Sequence, residues 1–216
     1  MSSAVHDMKN SLSVILDNLN CLDHETNISA QGHQALKKLH NEGLRLNNSF
    51  IQLLTLYRLE NKQYFLNIDS HNIFDCLEET ILENESSLNQ HQINAEFSCN
   101  ESLEWFFDRA LINGILNTII NNACRYAKSS IQLSASIIES QLVLSICDDG
   151  PGYPETLLTT NDSFQAEINF HSGNTGLGLH FARVVAQLHK NNQQRGHIKI
   201  SNQGINGGGK FSIHLP

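Results

Sequence analysis

Apolar residues recur at Val5, Met8, Leu12, Ile15, Leu19 and Leu22, in steps that alternate three and four. That is the ~3.5-residue period of a helical seam. The polar stretch "DHETNISAQGH" interrupts it. A second stripe then runs through Leu36, Leu39, Leu46, Phe50, Leu53 and Tyr57, with Gly43 where an apolar residue is expected. Two helices joined by a short polar loop predict an antiparallel hairpin. Alone, such a hairpin cannot cover both stripes, which predicts a homodimer whose hairpins form a four-helix bundle. Packing of the hairpin on the rest of the chain is the alternative.

The texture changes after "LENKQ". A strand is expected in "YFLNID", an amphipathic helix in "NIFDCLEETILENESSL", and strands in "INAEFSC" and "LEWFF". Asp108 can cap a helix from about Arg109 to Tyr126. "SIQLSASII" and "QLVLSIC" read as strands at a hairpin-like distance. "TGLGLHFARVVAQLH" opens with glycines and turns helical, and "HIKIS" and "GKFSIHL" close the chain as strands. The predicted class is α+β, a helical hairpin at 1–63 followed by an α/β sandwich at 64–216 with a mixed, mostly antiparallel sheet.

Composition narrows the partners. The formal net charge is −8, from 22 acidic and 14 basic residues without basic clusters, so nucleic acid is disfavoured as a partner. Five scattered cysteines without a CxxC pair suggest reduced thiols. No apolar run approaches the ~20 residues of a membrane span, and the start lacks the pattern of a signal peptide. The expectation is a cytoplasmic chain without direct membrane insertion.

Three stretches carry chemistry. In "LNTIINNACRYA", Asn122 offers a neutral amide oxygen, a hard ligand suited to Mg²⁺, and Arg125 lies nearly one turn on, where it can reach a phosphate. Asn121 and Asn122 suit the solvent side of a helix equally well. In "CDDGPGYP", Asp148 emerges at a strand end and can accept a hydrogen bond from an exocyclic amine such as adenine's. Gly150 and Gly152 permit a tight turn and the close approach of a flat ligand. A Gly-Pro turn with capping acids would look the same. In "GNTGLGLHFAR", Gly173, Gly176 and Gly178 bare backbone N–H groups before a helix, a phosphate cradle.

Together with "AVHDMKNSL" and "LLTLYRLEN", these stretches resemble the catalytic core of bacterial two-component sensor histidine kinases over nearly the whole chain. "AVHDMKNSL" is similar to the phosphoacceptor box, "LNTIINNACRYA" to the asparagine box, and "DDGPGYP" and "GNTGLGL" to the glycine boxes. The resemblance implies a dimerisation and phosphotransfer hairpin and an ATP-binding domain of the gyrase and Hsp90 kind. It implies Mg²⁺ at Asn122 and nucleotide contacts from Arg125, Tyr126, Asp148, Gly150, Gly152, Gly173, Thr175, Gly176, Leu177 and Gly178. It also implies phosphorylation of His6, with an aspartate of a response regulator receiver domain as the next acceptor, and a phosphatase role for Asn10. His6 lies beside the apolar seam, and Asp7 can hold one ring nitrogen's proton while the other attacks. Asn10, at i+4, shares the face of His6. Ser11 and Thr118 depart from the family's usual proline and asparagine, and 155–172 carries no arginine or lysine. Two rival readings are a phosphotransfer protein with a degenerate nucleotide domain and a serine kinase of the anti-sigma-factor type.

Overall fold

The structure, a computed structural model, describes residues 13–16, 18, 19, 22, 29–158 and 176–216. The chain divides into two compact units, Met1–Phe65 and Leu66–Pro216. Among the described residues, no helix is long and apolar enough to cross a membrane.

In the first unit the described residues among 13–22 are helical. They precede α1, Ala30–Glu60, which starts where the Ser29 side chain accepts from Gly32 N at 3.1 Å. It ends as Asn61 caps it and Lys62 turns to φ 54°. Among the described residues of this unit, Leu16, Gly43, Gln52 and Leu56 are buried. The missing apolar residue at Gly43 is accounted for by Leu16, whose Cδ2 would lie 2.6 Å from a Cβ at that position. The heptad positions Leu39, Leu46 and Leu53 stay 58%, 48% and 49% exposed, and Ile15 53%. Among the described stripe positions Leu22 is exposed as well, while Leu19, Leu36, Phe50 and Tyr57 are half-buried.

The second unit is a layered α+β domain. Its five-stranded sheet has the order β2-β4-β5-β9-β8, from Asn94–Ser98 (β2), Ser130–Ile138 (β4), Gln141–Asp148 (β5), Lys210–Leu215 (β9) and His197–Ser201 (β8). Only β2 and β4 run parallel. The central β5 is buried from Leu142 to Ile146, which is why its apolar run does not alternate. The turn into it places both Glu139 and Ser140 at positive φ, the geometry of a two-residue hairpin loop.

A separate ribbon pairs β1 (Ile68–Asn72) with β3 (Glu104–Asp108). The strand expected in "YFLNID" thus begins later. Pairing starts at Ile68, because the N–H of Asn67 donates to Asp108 Oδ2 at 3.0 Å instead of to a strand. Helices α2 (Ile73–Gln90) and α3 (Arg109–Tyr126) pack on each other, and Ile73, Leu77, Ile112, Ile115 and Leu116 are buried in the core. A four-residue α4 (Glu155–Leu158) and the longer α5 (Leu177–Leu188) follow. The stretch "HKNNQQRGH" holds a small hairpin of β6 (Lys190–Asn191) and β7 (Gln194–Arg195).

Candidate functional site

Asp108 organises the start of α3. Its Oδ1 accepts from Leu111 N–H at 3.1 Å, and its own N–H donates to His189 Nε2 at 3.0 Å. Since a backbone N–H can only donate, the His189 ring is neutral with its proton on Nδ1, which donates to Val185 O at 2.8 Å. Burial lowers the pKa of His189, in keeping with that state. The histidine thereby ties the end of α5 to the start of α3.

Farther along α3 the two adjacent asparagines separate in role. Asn121 faces α2: its Nδ2 donates to Asn117 O at 2.8 Å and lies 3.4 Å from Asn84 Oδ1. Asn84, buried, donates in turn to Asn117 Oδ1 at 2.6 Å. Asn122 is exposed, and among the described residues its amide makes no hydrogen bond. The start of α5 comes close to it. A Cβ on Gly178 would lie 2.7 Å from Thr118 Cγ2 and 3.8 Å from Asn122 Nδ2. Gly176 caps α5 with left-handed backbone, φ 61°. Leu177 is the first residue of that helix, so its N–H belongs to the unsatisfied first turn. Arg125 and Tyr126 are exposed at the end of α3, with the guanidinium 5.8 Å from the Tyr126 ring centre.

Asp148 ends the central strand. Its Oδ1 accepts from Gly150 N–H at 2.8 Å and Gly209 N–H at 3.2 Å. Among the described residues, Oδ2 accepts no hydrogen bond. A Cβ on Gly150 would fall 2.6 Å from Tyr126 O, so glycine lets this turn press against the end of α3. Asn122, Tyr126, Asp148, Gly150 and Gly178 thus line one end of the second unit. Gly152 lies in the same turn, two residues beyond Gly150. His6, Asp7, Asn10, Gly173 and Thr175 lie outside the described residues, as does the stretch 159–172.

Several residues of this end escaped the sequence reading. Asp149 is only 8% exposed and accepts from Lys128, Ser129 and Ser130 N–H and from Ser129 Oγ. Burial pushes its pKa up, but the Ser129 hydroxyl and the three N–H donors prevail and bring it to about 2. Two acids in a row were its only signal, and sequence does not say which one faces inward. Gly208 and Gly209 press on Asp148, a Cβ on Gly208 falling 2.1 Å from Asp148 O. Their signal was the glycine run "GGGK", which reads equally as the start of a strand. Tyr153 adjoins this loop; burial first, and then the charge of Asp148, raise its phenol pKa.

The chemistry available is a carboxylate with one oxygen held and one open, in the same unit as a helix start whose first N–H groups have no partner within the helix. The open oxygen suits an amine donor on a flat ligand, and the helix start suits an anion. Among the described residues no three His, Cys, Asp or Glu side chains cluster as a metal site. The amide of Asn122, exposed and beside that helix start, fits Mg²⁺ carried in by phosphate oxygens, since this ion takes few protein ligands.

The family model described as "Histidine kinase-, DNA gyrase B-, and HSP90-like ATPase" matches residues 107–216. Sensor protein QseC of Escherichia coli (strain K12) is 22% identical over 200 residues, covering 92% of this chain and 44% of that protein. Sensor protein SrrB of Staphylococcus aureus (strain N315) is 26% identical over 189 residues, 85% of this chain and 31% of that one. The chain thus spans less than half the length of these curated relatives. The solved Acinetobacter baumannii histidine kinase AdeS shares the fold with a TM-score of 0.64 at 24% identity, covering 97% of this chain and 96% of that one. The chain belongs to the histidine kinase-, DNA gyrase B- and HSP90-like ATPase family, and these likenesses support its reading as the catalytic core of a two-component sensor kinase.

Proposed function

We propose that this chain is an ATP-dependent protein-histidine kinase that acts as a cytoplasmic homodimer. It binds Mg·ATP in the second unit, phosphorylates His6 and passes the phosphoryl group to an aspartate on a response regulator. The observation that carries the reading is Asp148. Its open oxygen lies at the end of the central strand, in the segment that the ATPase family model matches. In the proposed complex, adenine's exocyclic amine donates to Asp148 Oδ2. The phosphates lie along the start of α5, over Gly176, Leu177 and Gly178, with Gly173 and Thr175 before them. Arg125 supplies positive charge near the phosphates, and Tyr126, Gly150 and Gly152 shape the wall by the base. Asn122 Oδ1 would hold Mg²⁺, which when bound neutralises charge on the phosphates.

In the transfer, the unprotonated ring nitrogen of His6 attacks the γ-phosphorus. The bond to the β,γ-bridging oxygen breaks and ADP leaves. Asp7 holds the proton of the other ring nitrogen, which keeps the attacking lone pair available. A carboxylate oxygen of the regulator's aspartate then attacks phosphorus, and the P–N bond breaks to restore His6. The Asn10 amide can orient a water against the resulting acyl phosphate, which would make the chain a phosphatase towards its regulator. Calorimetric titration with Mg·ATP tests the nucleotide half of this reading. Saturable binding to the wild-type chain is expected, and an absence of binding at millimolar nucleotide would contradict it.

A further inference from the structure

The turn that follows Asp148 is fastened by a side chain from another part of the domain. Gly152 sits at φ +79°, which turns the chain so that Tyr153 faces the loop after β8. There the Asn202 amide meets the Tyr153 backbone with both of its groups. Tyr153 N–H donates to Asn202 Oδ1 at 2.6 Å, and Asn202 Nδ2 donates to Tyr153 O at 3.0 Å. A primary amide that bonds N–H and C=O of one residue replaces a strand partner, at a point where no strand continues. The approach is close: a Cβ on Gly152 would lie 2.6 Å from Asn202 Oδ1. The Tyr153 ring in turn lies against the glycine loop behind Asp148, its Cε2 3.3 Å from where Gly209 would carry a Cβ, while Asp148 Oδ2 is 2.6 Å from that point. One exposed amide therefore holds a segment that starts at Gly150, bonded to Asp148 Oδ1, and ends at Tyr153, whose ring shares the space over Gly209 with Asp148 Oδ2.

We infer that Asn202 is a positioning residue of the nucleotide site, fixing the Gly152–Tyr153 turn so that the base pocket beside Asp148 is formed before nucleotide arrives. This inference rests on the nucleotide reading proposed above. Without Asn202 the turn must be ordered during binding, which weakens affinity for the base and leaves the phosphate end alone. Asn202 lies on the surface, so its removal takes little from the core.

The test compares wild type, Asn202→Ala and Asn202→Asp in the full chain, by titration with Mg·ATP and with Mg·tripolyphosphate followed by NMR, which reads weak binding. Asn202→Ala should bind ATP about tenfold more weakly, roughly the worth of two hydrogen bonds. Its affinity for tripolyphosphate and its melting temperature should stay near wild type. Asn202→Asp, which keeps the acceptor and loses the donor, should fall between. In the nucleotide-free protein, the Tyr153 amide should exchange with solvent faster in Asn202→Ala. Equal ATP affinity in wild type and Asn202→Ala would overturn the inference, as would equal losses for ATP and tripolyphosphate, or unchanged exchange at Tyr153. A wild-type chain that binds no ATP would instead overturn the nucleotide reading, and with it the purpose assigned to the clasp.

Discussion

Asp148 and Asp149 stand side by side, yet their surroundings set them to different work. Asp149 spends its whole carboxylate on Lys128, Ser129 and Ser130, and so fastens the chain after α3 to the end of β5. Its pKa of about 2 lies below the ordinary 3.8, so the unfolded chain binds the proton more readily. Its contribution, about 2 kcal/mol, is complete above pH ~5 and fades as pH falls towards the folded value. Denaturant titrations of wild type and Asp149→Asn should therefore show a gap at pH 7 that has narrowed clearly by pH 3, and a gap independent of pH would contradict this role. His214, lowered to about 4 by burial first and then by His197 and two lysines, works in the same direction at milder acidity. Its folded pKa is depressed, so its contribution is present above about pH 7 and is lost as pH falls towards 4. Asp148 keeps one oxygen open. In Asp148→Asn the amide oxygen can still accept from Gly150 and Gly209, which turns the NH₂ group towards the base's own amine. Two facing donors should weaken ATP binding roughly five- to 150-fold while the fold survives. Unchanged affinity in calorimetry would remove Asp148 from the site.

At the scale of elements, the first unit leaves Ile15, Leu22, Leu39, Leu46 and Leu53 exposed while burying Leu16 against Gly43. An apolar stripe of that length in water favours association with a like surface. Substituting Ile15 and Leu53 by Asp should give monomers in light scattering, where the wild-type chain should show twice the monomer mass. A wild-type monomer at high concentration would contradict the four-helix bundle. Most elements were legible in the sequence because their signals are local. Asp108 caps α3 where its position before an apolar run suggests, and the 3.6-residue pattern marks α2 and α3. What escaped depends on distant partners. The late start of β1 follows from a side chain 41 residues on, the setting of His189 from the Asp108 N–H just before α3, and the role of Asn202 from a turn 49 residues before it. Gly43 was visible as a break in the stripe, but its cause, Leu16, lies on another helix. Hydrogen bonds across such separations leave no period in the chain.

For the whole molecule, the reading joins a nucleotide site in one unit to a nucleophile in the other, so binding and transfer are separable. In the proposed function Asp148 and Asn202 bear on the first, His6 and Asp7 on the second. In the proposed sequence a response regulator enters only after phosphohistidine has formed, so the chain's own labelling is the step on which the rest depends. Incubation of the full chain with γ-labelled Mg·ATP, followed by acid and base treatment, tests that step directly. The account predicts label on the wild-type chain that acid removes and base does not, and none on His6→Gln that still binds ATP. Label of undiminished yield on His6→Gln, acid-stable label, or an ATP-bound wild-type chain that takes up none would contradict it.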